Sequence, residues 1–436
     1  MVAGGSLRDF ADGTRFRVFP QPPFGRRDAV PETIKVSTPP GLIHPGPSDA
    51  RMFFVRPLGK RAPYGVVDGG RRGPLLTLPP WTGPIAPPVS PGPDGHFDHL
   101  TVGTPDFEAA HLFGVAHFVM DVWEIYLGHP VRWHFTADFD RLQLSILPDW
   151  ANGQIGYGYL EVGQARGPDG EDLSFALNFD VIAHEIGHAI IYAEVGLPAP
   201  DAARGEYYGF HESAADWVAM IAALHFPSVV DSLLSSTSGN LYTFNELNRF
   251  SEFSRNSQIR LASNYLKLSD FAHGWRDEHR LSQPLTGALF DVFVDIFHEI
   301  LVDVGAIGRS LEQLSDIALH RPDLEPRLQA EFDAAYARDP EGFAYALVEA
   351  RDLMGELLVT AWKTLSPDHL GYADFGDALI AADAALTGGR LRDILFENFR
   401  WRDIGAAIAG PRLEAPDARS HAFSDRCVVP EEVGGG

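Results

Sequence analysis

Residues 178–191 read NFDVIAHEIGHAII, and this stretch decides how the rest of the chain is interpreted. His184 and His188 lie four residues apart, so on an α-helix they share one face and both imidazoles can reach one metal ion. Glu185 would project beside that ion, where its carboxylate can take a proton from a metal-bound water. Gly187 inside such a helix costs about 1 kcal/mol relative to alanine, which indicates a close crossing with another helix. The alternative is a buried helix with two hydrogen-bonded histidines, and a third ligand downstream distinguishes the two interpretations.

A second helix is predicted where residues 210–219 read FHESAADWVA. Glu212 and Asp216 are again four residues apart and share a face. A catalytic zinc site has three protein ligands and one open position, and Glu212 completes a set of two histidines and one glutamate. A metal-bound histidine also needs an acceptor for its other ring nitrogen, and Asp216 is the candidate. His211 is an alternative ligand, but Glu212 has the better spacing from Asp216.

These residues resemble the thermolysin-like zinc metallopeptidases, the gluzincins whose third ligand is a glutamate, in a divergent form. The segments that follow the family's order are Asp180-Val181-Ile182-Ala183-His184-Glu185, His188-Ala189, Gly196-Leu197, and Glu212 with Asp216. The resemblance implies a zinc ion (Zn2+) with three protein ligands, a general base and a carboxylate that supports one ligand histidine. These roles fall on His184, His188 and Glu212 as ligands, on Glu185 as the base, and on Asp216 as the supporting carboxylate.

Weaker correspondences extend the resemblance over residues 105–300. They imply that Asn152, beside an edge strand that pairs with the substrate backbone, binds a substrate amide. They imply that Arg260 contacts a substrate carbonyl and that His279 stabilises the transition state as the second catalytic residue.

The sequence departs from the family around the transition-state histidine. The family histidine precedes a glycine by four residues, whereas Gln283 stands four residues before Gly287 and His279 stands eight before it. Either this loop is remodelled or the oxyanion donor is lost, and Tyr207 or Tyr208 could also donate. The family's calcium-binding acids are likewise replaced, since residues 222–224 read AAL.

The resemblance implies an α+β fold: a thermolysin-like, two-lobed metallopeptidase with a mixed α/β N-lobe and a mainly α-helical C-lobe. A proline-rich N-terminal extension, residues 1–98, holds 18 of the 33 prolines. Proline fixes φ and lacks an N–H, so this extension is expected to be extended or irregular, with residues 52–55 (MFFV) as an edge strand. We divide the remainder into a mixed lobe over 99–183 that contains the substrate-binding edge strand, a helical lobe over 184–410 that completes the zinc site, and a polar tail over 411–436.

Hydrophobic periodicity predicts the secondary structure of these lobes. Strands are expected at 133–135 and 142–147. Helices are expected at 106–127, 178–195, 208–225, 285–303, 309–319, 324–337, 341–364, 373–387 and 390–408.

The charge and composition of the chain limit the kinds of binding partner that we expect. The formal net charge is −24, so phosphate backbones and anionic lipid are repelled, and neither nucleic acid nor membrane is an expected partner. An apolar run of membrane-spanning length and the apolar core of a secretory signal are both missing, so a cytoplasmic location is expected. Cys427 is the only cysteine, which excludes an internal disulfide.

The sequence therefore predicts a zinc-dependent endopeptidase that acts on a peptide or protein substrate, with Glu185 as general base. Two alternatives stay open: a catalytically inactive metallopeptidase-like interaction protein, and a zinc hydrolase that acts on a non-peptide amide. Cleavage specificity and oligomeric state are not encoded in any motif.

Overall fold

A computed structural model of the chain describes residues 10–24, 29–68, 74–166, 172–243, 245, 249–251 and 259–405. Cys427 and the polar tail lie outside these residues. The strands are β1 (Thr14–Val18), β2 (Glu32–Val36), β3 (Met52–Phe54), β4 (Gly65–Asp68), β5 (Pro74–Thr77), β6 (Leu142–Leu147), β7 (Gly153–Gly156), β8 (Tyr159–Arg166), β9 (Asp172–Ser174), β10 (Arg249–Ser251) and β11 (Ile259–Leu261). The helices are α1 (Pro105–Leu127), α2 (Phe179–Glu194), α3 (Gly205–Ala223), α4 (Pro227–Thr237), α5 (Glu278–Asp303), α6 (Arg309–Ala318), α7 (Glu325–Arg338), α8 (Pro340–Trp362), α9 (Tyr372–Leu386) and α10 (Arg392–Trp401).

The mixed α/β part is built on one sheet with the strand order β3-β6-β8-β7, and β9 pairs with β8. Strands β3, β6 and β8 are parallel, while β7 runs antiparallel to β8 at the edge. Successive side chains on a strand point to opposite faces. One face is apolar and joins the hydrophobic core through Leu142, Leu144 and Leu160.

The second face of this sheet is polar and nevertheless buried. Gln143 and Glu161 are fully buried on it. The N-terminal part of the chain covers this face: the Lys60 ammonium contacts Glu161, and the Tyr64 backbone N–H donates to Glu161 Oε2 at 2.6 Å. Burial of these polar groups is tolerated because each has a hydrogen-bonding partner.

The N-terminal segment is packed into the molecule at other points too. The β1–β2 hairpin lies against α1, where a Cβ added to Gly114 would come within 2.9 Å of Phe16 Cβ. Strand β3 covers Met52–Phe54, the first three residues of the MFFV sequence, and lies at an edge of the main sheet, where the sequence predicts an edge strand. The boundary of the extension at residue 98 stays a prediction.

Two helix ends show how local sequence positions the central elements. Helix α1 begins where the Thr104 hydroxyl accepts from Phe107 N, and it ends at Gly128 in the left-handed region, with φ +74°. Helix α2 begins where the Asn178 side chain accepts from the N–H groups of Asp180 and Val181. Side-chain caps of this kind stabilise a helix by about 0.5–2 kcal/mol.

Two secondary-structure predictions are wrong, and one helix is missing from the predictions. Residues 133–135 form no strand; Trp133 and Phe135 stack instead at a turn, with ring centroids 5.6 Å apart. Helix α4 was not predicted at all. Helix α5 starts at Glu278 and not at residue 285, because Asp277 caps it and Pro284 is tolerated inside the helix.

Within the described residues, no single helix has the length and apolar composition needed to cross a membrane. The pair α3 and α4, bent by 97°, passes by length and composition alone.

Candidate metal centre

Helices α2 and α3 cross closely at Gly187, as the sequence predicts. A Cβ added to this glycine would lie only 2.8 Å from the Ala215 Cα. Carbon atoms in contact are normally about 3.5–4.0 Å apart, so a glycine is required for this approach. The crossing brings the histidines of α2 against the carboxylates of α3.

Three side chains at this crossing could hold a metal ion. His184 Nε2 lies 3.4 Å from Glu212 Oε2, and His188 Nε2 lies 3.5 Å from Glu212 Oε1. One ligand atom from each residue lies within 4.8 Å of the others. Tetrahedral zinc with bonds of about 2.0–2.1 Å places its ligand atoms about 3.3–3.5 Å apart, so these side chains fit such an ion.

The electrostatics of this group favour a cation. Glu212 is 1% exposed, and both histidines are 5% exposed. Burial raises the pKa of Glu212, but the histidines beside it, His279 foremost, outweigh burial and hold that pKa well below its usual range. Glu212 is therefore anionic at neutral pH.

Asp216 lies behind His184, one turn along α3 from Glu212. Its Oδ1 is 3.0 Å from His184 Nδ1, the nitrogen that faces away from Glu212. The carboxylate can hold the proton on Nδ1 and so leave Nε2 free to ligate a metal. The role of Asp216 as the acceptor for a metal-bound histidine stays a prediction.

Glu185 follows His184 on α2 and lies next to the edge strand β7. It is partly exposed, unlike the two histidines. A Cβ added to Gly153, the first residue of β7, would lie 3.5 Å from Glu185 Oε1. Among the described residues β7 has no strand on its outer side. Asn152 precedes β7 directly and is exposed.

The structure brings His279 to the same site despite the departure at Gln283. His279 lies in the first turn of α5, and its Nε2 is 3.3 Å from Glu212 Oε2. Its Nδ1 is 3.0 Å from Asp277 Oδ1, which also accepts from the His279 backbone N–H. Asp277 was missed in the sequence, although an aspartate two residues before a histidine at a helix start is the pattern that marks it.

The remaining predicted residues, Arg260, Tyr207 and Tyr208, lie on β11 and on α3. Arg260 lies on β11, which pairs with β10, and its side chain is outside what the structure describes. The Tyr207 hydroxyl donates to the Gly196 carbonyl at 2.9 Å, so it links α3 to the segment after α2. The Tyr208 ring packs near Trp275, with centroids 6.2 Å apart.

His211 contacts His188 at Nδ1, the ring nitrogen that faces away from Glu212. Its Nδ1 lies 2.6 Å from His188 Nδ1, and the two rings stack with centroids 4.8 Å apart. Burial lowers the pKa of His211 to about 3, so this ring is neutral at physiological pH. The sequence offered His211 as an alternative ligand, whereas in the structure it supports His188.

No family model matches the chain, and no curated protein matches it either. Among solved structures, it is similar to the precursor of protealysin, a metalloproteinase from Serratia proteamaculans, with 12% sequence identity and a TM-score of 0.47. The match covers 86% of this chain and 90% of that one. At such an identity and TM-score the similarity decides nothing about function, which we infer from the side chains of the site.

Proposed function

We propose that this protein is a zinc-dependent endopeptidase. The observation that carries the proposal is the His184, His188 and Glu212 group beside the partly exposed carboxylate of Glu185. Three protein ligands with one open side are the arrangement of catalytic rather than structural zinc sites. A divalent ion held there would act as a Lewis acid that makes water and a substrate carbonyl more reactive at neutral pH.

Glu185 is the general base in this proposal. Its carboxylate accepts a proton from the attacking water and later gives it to the leaving amine, so that one peptide bond and one water become an acid and an amine. Its place next to Gly153 supports this role, because a substrate that follows β7 passes the carboxylate.

Substrate binding would use the outer edge of β7. An extended peptide can add to an exposed strand through backbone hydrogen bonds, and the Asn152 amide at the start of β7 would bind a substrate amide. His279, held by Asp277, would donate from Nε2 to the oxygen that gains negative charge. Arg260 is proposed to contact a substrate carbonyl. These features favour a peptide over a non-peptide amide.

The test is peptide cleavage by the full-length protein with zinc, read by mass spectrometry on a peptide library. We expect cleavage that a chelator abolishes and added zinc restores. Glu185→Gln should still bind zinc, but its kcat should fall about 10²–10⁴-fold, because the variant lacks the general base. His298→Phe is the matched control, because His298 is a buried histidine about 28 Å farther along α5 than His279, at about 1.5 Å per residue. Bound zinc without any cleavage would contradict a peptidase and leave the two alternatives, an inactive interaction protein and a zinc hydrolase that acts on a non-peptide amide.

A further inference from the structure

A cavity of about 330 Å³ lies among α5, α6 and α10, apart from the metal centre. Asp291 lines it and lies roughly 18 Å farther along α5 than His279, at about 1.5 Å per residue. Cavities of this size are typical of sites that bind small organic molecules. We call it the acidic cavity, because six carboxylates share its walls: Asp291, Asp295, Glu299, Glu312, Asp316 and Glu397.

The carboxylates of the acidic cavity outnumber the cations that pair with them. Two arginines pair with three of these carboxylates: Arg402 with Asp291 at 2.7 Å, and Arg309 with Glu299 at 2.6 Å and with Glu312 at 2.9 Å. The other three form no ion pair with any residue that the structure describes: Asp295, Asp316 and Glu397. Carboxylates that share a site repel one another, so a cation inside the cavity would be attracted by all of them.

Asp295 shows this imbalance most clearly. Its Oδ2 accepts a hydrogen bond from the Asn398 amide at 2.7 Å, and no described residue donates to its Oδ1. Burial, and the carboxylates of Asp316 and Asp291, raise the pKa of Asp295 to about 8. An enclosed carboxylate without a positive partner lowers the stability of a fold. In a cavity, such a group indicates a binding site in which a ligand supplies the missing charge.

The Tyr242 hydroxyl is a second polar group in the cavity without a partner. The Tyr242 ring packs edge to face on Phe290, with centroids 6.1 Å apart, and lines the cavity. Its hydroxyl lies near Asp291 and Asp295, and no hydrogen bond joins it to any described residue. Enclosed polar atoms normally have a hydrogen-bonding partner. The hydroxyl oxygen and Asp295 Oδ1 can therefore both accept from the N–H groups of one ligand.

The spread of the carboxylates favours an organic cation over a metal ion. Asp291, Asp295 and Glu299 follow one another at successive turns of α5, so the first and third lie about 12 Å apart along the helix axis. A metal ion needs ligand atoms that converge on one point. Among the described residues, that convergence is found at the metal centre and not in the acidic cavity.

Carboxylates occur both deep in the cavity and at its mouth. Asp291 is buried, whereas Asp316 and Glu397 are exposed. The rings of Tyr265 and Trp401, with centroids 6.2 Å apart, also line the cavity, and Tyr265 is 67% exposed. Aromatic rings attract ammonium groups and contact the methylene groups between them. A lysine side chain has one charge, so a linear amine with a charge at each end matches the cavity better.

We propose that the acidic cavity binds an aliphatic polyamine, with one ammonium between Asp295 and Tyr242 and a second near Asp316. The bound ligand supplies the positive charge that the cavity lacks. This proposal does not rest on the metal centre or on peptidase activity.

Isothermal titration calorimetry of the full-length protein tests the ligand class with spermidine, a linear triamine. The buffer contains about 0.15 M salt, which screens exposed charges that are more than about 8 Å apart. We expect one saturable site per chain, and a titration without saturable binding would overturn the proposal. N-butylamine, with one ammonium, should bind at least about 10-fold more weakly. Equal affinity for N-butylamine, or displacement of spermidine by an equal concentration of Ca²⁺, would contradict a polyamine site.

Variants test the position of the site. Asp295→Asn keeps the shape of the side chain and removes one carboxylate, so the dissociation constant for spermidine should rise about 10- to 100-fold. Tyr242→Phe removes only the hydroxyl and should raise it about 2- to 10-fold. Asp377→Asn is the matched control, because it removes the same charge at an exposed position on α9.

The control separates the cavity from the overall charge of −24. Asp377→Asn should bind spermidine as the wild type does. Wild-type affinity in Asp295→Asn, or an equal loss of affinity in Asp295→Asn and Asp377→Asn, would overturn the site. Urea denaturation shows whether Asp295→Asn is folded, and we expect it to be at least as stable as the wild type at pH 8, because the variant lacks an unbalanced carboxylate.

Discussion

Replacement of Gly187 by alanine tests whether the helix crossing itself builds the site. The new Cβ would lie 2.8 Å from Ala215 Cα and 3.1 Å from both Ala215 Cβ and its carbonyl oxygen. Because carbon contacts settle at about 3.5–4.0 Å, α2 has to retreat from α3 by roughly 0.7–1 Å. The separations of 3.4 and 3.5 Å between the histidines and Glu212 would then exceed 4 Å.

This retreat should affect both the stability of the fold and the zinc affinity of the site. Overpacking costs about 1–3 kcal/mol, while alanine in a helix recovers about 1 kcal/mol relative to glycine. We expect the free energy of unfolding of the metal-free protein to fall by about 0–2 kcal/mol, which is the difference of these terms. Zinc affinity should fall by about 10- to 100-fold, because ligand sites tolerate displacements of only about 0.5 Å.

The assay is urea denaturation of the metal-free protein together with zinc competition against a chelator. Gly187→Ala combined with Ala215→Gly is the matched control: it removes the Ala215 Cβ but leaves the Cα and the carbonyl, so the rescue should be partial. A Gly187→Ala protein that is more stable than the wild type and binds zinc equally well would refute the reasoning.

Three further predictions concern other parts of the molecule. Burial opposes a charge on His117, but Asp121 and the nearby Asp49 raise its pKa to about 10. The stabilisation of the fold by charged His117 is complete below the ordinary pKa of 6.5 and is lost as the pH approaches 10. In urea denaturation, His117→Gln should therefore cost roughly 3–5 kcal/mol at pH 6 and less at pH 10. Burial raises the pKa of Asp295 to about 8, so its ionisation destabilises the fold as the pH rises from 4 to 8, and Asp295→Asn should raise the free energy of unfolding at pH 8 but not at pH 4. Asp277→Ala should lower the free energy of unfolding by about 1 kcal/mol through the lost helix cap, and it should also lower kcat for peptide cleavage. Asp277→Asn keeps the cap and should lower kcat alone. An unchanged kcat in both variants would show that His279 does not depend on Asp277.

The part of the site that depends on helical spacing could be predicted from the sequence. His184 with His188, and Glu212 with Asp216, each lie one turn apart, so a local pattern fixes which side chains share a face. The two pairs come together only where α2 and α3 cross. Gly187 indicates this crossing but does not determine its orientation. The 3.4 Å approach of His184 to Glu212 therefore follows from the pattern and the crossing together.

Features that depend on tertiary packing could not be predicted from the sequence. His211 supports His188 only because α3 presents two successive residues, His211 and Glu212, to different nitrogens of the same ring. The start of α5 was misplaced because Pro284 favours a boundary in the local sequence, whereas the Asp277 cap begins the helix earlier. Burial of β3 in the main sheet depends on its pairing with β6, which proline content does not reveal.

Zinc stoichiometry tests the metal centre most directly. Full-length protein is stripped with a chelator, equilibrated with buffered free zinc, and analysed for metal by mass spectrometry beside His188→Ala. One zinc per chain in the wild type and almost none in the variant is the predicted result. A wild type without zinc, or a His188→Ala protein that binds as much zinc as the wild type, would contradict the ligand set formed by His184, His188 and Glu212.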